Sequence, residues 1–170
     1  MSLAIVDACF LINWSWFRQR NDLLNLFTRL VVPTPVLVEV RTERARSYLA
    51  ELVVSRRLLI APRVQAVDQL ALKLFEVIDA EPHLPTIDPP EAYALALAKH
   101  MRVPLLTDNA APKLATRYVE EVKDVEVLDS LDVLARLYLS TRLRSKVEEF
   151  MRDTGVLFSE GRLRDYGVAP

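Results

Sequence analysis

Four acids in the 170-residue chain stand where a parallel sheet would carry them to one edge. Asp7 ends the apolar run Leu3-Ala4-Ile5-Val6, and Glu39 is the lone charge between Val31 and Val40. Glu91 opens a helical stretch after Asp88-Pro89-Pro90, and Asp108 follows Val103-Pro104-Leu105-Leu106-Thr107. Open α/β sheets bind their ligands outside the carboxyl ends of the strands, and Asp7 and Asp108 fall at two such ends. Magnesium and manganese are hard ions that take oxygen ligands and keep bound waters. Carboxylates gathered around such an ion activate water and stabilise charge on a phosphodiester. The pattern points to a carboxylate-lined metal site, provided that the fold brings the four acids together.

Each acid also has an ordinary role open to it. Asp7 can cap the helix that follows it, and Asp108 can cap the helix carrying Lys113 and Arg117. Asp88, Pro89 and Glu91 spell a capping box with proline at the first helical position, which is reason enough for Glu91. Glu39 sits among Val36, Leu37, Val38 and Val40, a poor setting for a wholly solvated charge. The joint order of the four weighs more than any one of them. Basic side chains follow two of the acids: Arg41, Arg44 and Arg46 after Glu39, and Lys113 and Arg117 after Asp108. Such groups are commonly solvated faces; beside a metal site, Arg41, Arg44, Lys113 and Arg117 become candidate phosphate contacts. Trp14, Trp16 and Phe17 read as core or dimer contact, with base stacking the lesser alternative. His83 and His100 are isolated, without zinc-ligand spacing.

The elements that must position these groups alternate short β-like runs with longer helical ones. Strands are expected at Leu3–Asp7, Val31–Val32, Leu58–Ile60, Val103–Leu106 and Val125–Leu128. Helices are expected at 8–16, from Asp22 through Leu30, from Thr34 past Glu39, and at 47–55, 64–78, 91–101 and 112–119. From Ser130 the chain reads as helices only: 131–139, 142–152, and a short one capped by Ser159. Strands separated by helices imply right-handed crossovers and a parallel sheet with helices on both faces. The expected organisation is one α/β domain over 1–130 with a helical extension, 131–170, packed on it.

Composition agrees with a compact helix-rich domain: 51% hydrophobic residues, only 3 glycines, and a net charge of −1. No global positive field draws in nucleic acid, so a polyanion must meet a local basic patch. The lone Cys9 excludes an internal disulfide and a thiolate metal cluster. No charge-free apolar run reaches membrane-spanning length, and Asp7 interrupts the apolar start, so no membrane partner and a cytoplasmic location are expected.

At these residues the chain resembles the PIN-domain family of small metal-dependent ribonucleases. The likeness runs through Ile5-Val6-Asp7-Ala8-Cys9-Phe10-Leu11-Ile12, Val36-Leu37-Val38-Glu39-Val40, Asp88-Pro89-Pro90-Glu91-Ala92-Tyr93-Ala94-Leu95-Ala96-Leu97-Ala98 and Leu105-Leu106-Thr107-Asp108-Asn109. It covers roughly residues 3–130, and Val127 to Ser159 is similar to the helical tail of a prokaryotic subgroup. The resemblance implies a three-layer α/β/α fold with a mostly parallel sheet. It implies a Mg2+- or Mn2+-dependent endoribonuclease site at Asp7, Glu39, Glu91 and Asp108, with Thr107 and Asn109 supporting it. Many relatives are toxins of VapBC-type toxin–antitoxin pairs, dimeric and inhibited by a small partner, so an RNA substrate, an antitoxin protein and a homodimer are the implied partners. The chain departs from the pattern at Ala8 and Cys9, where hydroxyl residues are usual, at Pro90 in place of a glycine, and at Asn109 in place of a second acid. The arginine that follows in relatives is missing, with Lys113 the nearest base.

The leading expectation is therefore a nuclease in which a metal-activated water attacks an RNA phosphodiester in line. A catalytically weak or inactive scaffold that binds RNA or protein is the main competitor, supported by Ala8, Cys9 and Asn109. A nuclease acting on DNA is the third reading, since no residue distinguishes the sugars.

Overall fold

The computed structural model describes residues 2–168. The chain runs β1 (Leu3–Val6), α1 (Ala8–Trp16), a 3-10 turn (Arg20–Asp22), α2 (Leu23–Leu26), β2 (Arg29–Pro33), α3 (Thr34–Leu37) and α4 (Glu43–Val54). It continues through β3 (Leu58–Ala61), α5 (Gln65–Asp79), α6 (Pro89–Met101), β4 (Leu105–Leu106) and α7 (Ala110–Tyr118). After a second 3-10 turn (Glu120–Val122) come β5 (Val127–Leu128), α8 (Ser130–Leu137), α9 (Ser140–Thr154) and α10 (Glu160–Asp165). The five strands form an all-parallel sheet in the order β3-β2-β1-β4-β5. The architecture is a mixed α/β fold with helices on both sides of the sheet, as the alternating pattern requires.

A parallel sheet covered on both faces calls for unbroken apolar strands, and Ala4, Ile5, Val6, Leu30 and Val32 are all fully buried. α6 crosses the strands β1, β2 and β4, with α5 packed along it. From Glu91 to Ala98 every residue of α6 is buried, the signature of a helix enclosed between layers. Alanine at positions 92, 94, 96 and 98 lets the helix approach its neighbours closely. The edge strand β3 is less well covered, with Leu59 and Ile60 exposed.

Several boundaries differ from the sequence expectation for identifiable reasons. α2 lasts one turn, not through Leu30, because Arg29–Pro33 is recruited as β2 beside β1. Asp22 stands at the N-cap of α2, but its side chain makes no capping bond; the carboxylate accepts from the Tyr138 hydroxyl at 2.6 Å. Pro33, not Thr34, is the N-cap residue of α3, and that helix stops at Leu37, which leaves Glu39 in the turn beyond it. The capping box of α6 forms as written: Glu91 N–H donates to Asp88 at 2.8 Å and Asp88 N–H to Glu91 at 3.1 Å. A second box, Asp129 with Asp132, starts α8.

The C-terminal helices lie against the first one. Phe150 of α9 contacts Trp14 and Phe17 at ring separations of 5.6 and 5.2 Å, and Phe158 stacks on Phe150. Gly155 ends α9 at φ 75°, a left-handed turn that glycine adopts without a Cβ clash. α10 is fastened by Arg162, which pairs with Asp129 and Asp132 at 2.6 and 2.9 Å, and by the Tyr166 hydroxyl on Asp132.

Candidate functional site

Asp7 is the residue at which β1 hands over to α1, and its main chain is fixed by Asp7 N–H donating to Leu106 C=O at 3.0 Å. Its side chain does not cap α1. The carboxylate turns inward and is only 2% exposed. Oδ2 accepts from the Thr107 hydroxyl at 2.9 Å and the Cys9 thiol at 3.1 Å. Oδ1 is buried with no hydrogen-bond partner. A buried carboxylate oxygen without a donor is costly, which marks the position as made for a partner other than a protein donor. Burial, first, and the charge of Asp88 push the carboxyl above the usual carboxylate range, against the lowering pull of Cys9, the Ala8 N–H and Thr107.

Glu39, beyond α3, and Glu91, in the first turn of α6, complete an electrostatic cluster with Asp7. Glu39 is raised by burial and by Asp88 and Asp7, and lowered by Arg41. Glu91 is pushed up to about 7 by burial, with Asp88, Asp7 and Glu39 adding to it and the Asp88 N–H opposing. Asp88 is thus a fourth member of the cluster, legible from sequence as a cap but not as a charge neighbour of Asp7. Burial does most of this, and the neighbouring like charges add to it.

Asp108, the fourth expected acid, follows Thr107 at the end of β4; its charge acts on Cys9, and both of its oxygens accept hydrogen bonds from other elements. Asn13 Nδ2 donates to Oδ2 at 2.7 Å, Ser130 N–H to Oδ1 at 2.7 Å, and the Ser130 hydroxyl to Oδ2 at 2.9 Å. The same Ser130 oxygen accepts from Trp14 Nε1 at 2.9 Å. Asp108 therefore ties β4 to α1 and α8; burial raises its carboxyl while these three donors pull it down. The neighbouring position supplies the contact to the acid cluster: Asn109 donates its side-chain amide to Glu91, and its N–H to the Thr107 hydroxyl at 3.2 Å. Asn13 and Ser130 had no signal in the sequence beyond their polarity.

Cys9 lies between Asp7 and Thr107, with Sγ 3.4 Å from the Thr107 hydroxyl, and burial followed by the Asp7 charge raises its thiol well above the ordinary range. It acts as a neutral donor in the position where a hydroxyl was expected. Lys113 is engaged at 2.7 Å with Asp129 and also with Asp132, while Arg117 lies exposed near the end of α7. Arg41 and Arg44 are exposed beyond Glu39, without a carboxylate partner among the described residues.

Among the described residues, no three His, Cys, Asp or Glu side chains stand close enough to make a finished metal-ligand set. The donor chemistry nevertheless fits a magnesium-like ion, which binds through one or two carboxylates and keeps several waters. The unpartnered Oδ1 of Asp7 is one such donor, and the half-buried Glu39 and the buried Glu91 are carboxylates of the right type near it.

No protein-family model and no curated protein matches the sequence. Among solved structures, a chain of VapBC2 from Rickettsia felis, bound to a DNA fragment from their promoter, superposes with a TM-score of 0.54 at 12% identity. The alignment covers 75% of this chain and 98% of that one. FitAcB from Neisseria gonorrhoeae aligns at a TM-score of 0.49 and 14% identity, over 74% of this chain and 96% of that one. At such identities the likeness to the VapBC2 chain is one of fold, an α/β/α arrangement around a parallel sheet.

Proposed function

We propose that this chain is a divalent-metal-dependent endoribonuclease and the toxin-like member of a toxin–antitoxin pair. The observation that carries the reading is the Asp7 carboxylate: buried, bonded through one oxygen, and surrounded by acids rather than bases. Asp7, Glu39 and Glu91 would hold magnesium or manganese, with water completing the shell. When bound, that ion supplies a polarised water at neutral pH and neutralises charge on the phosphodiester. Thr107 and Cys9 fix the orientation of Asp7, Asn109 braces Glu91, and Asp108 locks β4 to α1 and α8. Arg41, exposed and near enough to act on Glu39, would meet a backbone phosphate. The fold likeness to a chain of a VapBC2 complex supports the toxin–antitoxin assignment and a small protein partner. No described helix is long and apolar enough to cross a membrane.

The test is cleavage of mixed-sequence single-stranded RNA, with a DNA strand alongside, by wild type and Asp7→Asn in manganese, magnesium or EDTA. Metal-dependent cutting by wild type alone is the expected result. Absence of both cutting and manganese binding would refute the reading. One observation favours a second reading, a binding scaffold on the same fold: the position contacting Glu91 is the neutral Asn109, while the Asp108 carboxylate is engaged elsewhere. That reading predicts RNA or partner binding that persists in EDTA and in Asp7→Asn.

A further inference from the structure

At the opposite end of α1 from Asp7 lies an open cavity of about 560 Å3, lined by Trp16, Arg20, Thr42, Glu43, Arg44 and Glu51 among others. The two tryptophans of the chain differ sharply: Trp14 is fully buried, whereas Trp16 is 45% exposed. The Arg44 guanidinium lies 4.6 Å from the Trp16 ring centroid, and Arg44 Nε donates to Ser15 C=O at 2.9 Å. The flat guanidinium is thereby held against the indole. Arg20, also in the lining, is committed to Glu51 at 3.0 Å and to the Ser15 carbonyl at 3.2 Å. Arg44 has no carboxylate partner among the described residues and keeps its charge available. An exposed cation–π pair does little for stability, so the fold itself gives slight reason for the tryptophan.

The position relative to the carboxylates is informative. α1 begins at Asp7 and ends at Trp16, and nine residues of helix span roughly 14 Å. The segment from Glu39 to Arg44 joins the two places by a second route, with Arg41 between them and close enough to lower Glu39. Arg41 therefore stands along the chain between Glu39 and the Trp16–Arg44 pair, and Trp16, Arg41 and Arg44 are all exposed. Unpaired bases stack on aromatic rings and guanidinium planes, whereas duplex bases hide their faces.

We propose that Trp16 and Arg44 form a stacking platform for an unpaired nucleobase, with Arg41 meeting the phosphate between that base and the carboxylates. This rests on the nuclease reading for the direction of the strand, but binding at the platform needs neither metal nor cleavage.

The test uses the full chain in EDTA, titrated with a short uridine RNA oligomer, the corresponding thymidine DNA oligomer, and an RNA duplex. Trp16 is a built-in reporter, because the buried Trp14 gives a constant background. Both single strands are expected to quench the emission if the platform reads the base alone, and RNA only if it also reads the sugar; the duplex should not quench. By anisotropy of a labelled strand, Trp16→Ala should weaken binding by about tenfold or more, from the usual worth of one stacked base. Trp16→Phe should retain most of the affinity, and Arg44→Lys, which keeps charge but not the plane, should lose part of it. Unchanged binding in Trp16→Ala, absent quenching, or equal quenching by the duplex would overturn the platform. A wild type that quenches but never cuts in manganese would overturn the nuclease reading and leave the platform standing. A Trp16→Ala protein that cuts and binds as wild type does would do the reverse.

Discussion

Glu91→Gln isolates the electrostatic cost of the carboxylate cluster. Glu91 is 6% exposed, and burial with the nearby charges of Asp88, Asp7 and Glu39 moves its carboxyl from 4.5 to about 7. The folded state therefore holds a proton that the unfolded chain has already released. Stability from this group is complete below the unfolded value and is lost as pH rises towards the folded one. The displacement corresponds to about 3 kcal/mol at neutral pH and above, at roughly 1.4 kcal/mol per pH unit. Glutamine removes the titration but offers one oxygen to two donors, the Asp88 N–H and the Asn109 amide, a loss of about 1 kcal/mol unless Asn109 turns round. Urea denaturation in EDTA at three pH values from acid to mildly alkaline measures the balance. Glu91→Gln should be equal to or slightly less stable than wild type near pH 4.5 and more stable by about 2 kcal/mol near pH 8. Parallel stability profiles for the two proteins would refute the account of Glu91 as a carboxyl raised by burial and neighbouring charge.

Asp7→Asn should abolish metal-dependent cleavage while raising the melting temperature of the metal-free protein, since the buried Asp7 carboxyl is also raised; a fall in stability at neutral pH would contradict this. Manganese at a hundred times its dissociation constant should stabilise wild type by about 2.7 kcal/mol and Asp7→Asn by much less, as followed by thermal melts. Phe150→Ala should cost about 3–5 kcal/mol, because the ring is fully buried between Trp14 and Phe17, and chemical denaturation will read it. Burial would raise Asp132, but Lys113, Tyr166, the Asp129 N–H and Arg162 together hold it well below the usual carboxylate range. Its contribution is present above the ordinary aspartate value and disappears in strong acid, so Lys113→Met should flatten the acid limb of the stability curve.

The sequence was most readable where chemistry is local. The Asp88–Glu91 capping box, the Ser159 cap and the apolar period of α5 follow from side chains a few residues apart, and the structure contains all three. The strand–helix alternation foretold a parallel sheet with helices on both faces. Less readable was anything decided by distant pairing. Asp22 looks like a side-chain cap until Tyr138 arrives across the fold, and Arg29 and Leu30 look helical until β1 and β3 claim them. The candidate site shows the same division. The charges of Asp88, Asp7 and Glu39 all act on Glu91, although no three of the described acids stand close enough to hold an ion. That Asp108 turns to Asn13 and Ser130 while Asn109 meets Glu91 depends on two residues far away in sequence. Lys113, read as a phosphate contact, sits against Asp129 and Asp132, partners that no spacing rule could supply.

The central position of β1 has a consequence for the newly made protein. β1 pairs with β2 on one side, available within the first 33 residues, and with β4 on the other, which begins only at Leu105. The Thr107 hydroxyl thus reaches Asp7 only after more than half of the chain has been made. The Phe150 ring that covers Trp14 and Phe17 comes later still. A growing chain carries β1 to β3 for much of its synthesis without the segments that complete the sheet and cover α1, so its apolar surfaces need shelter until those late segments arrive.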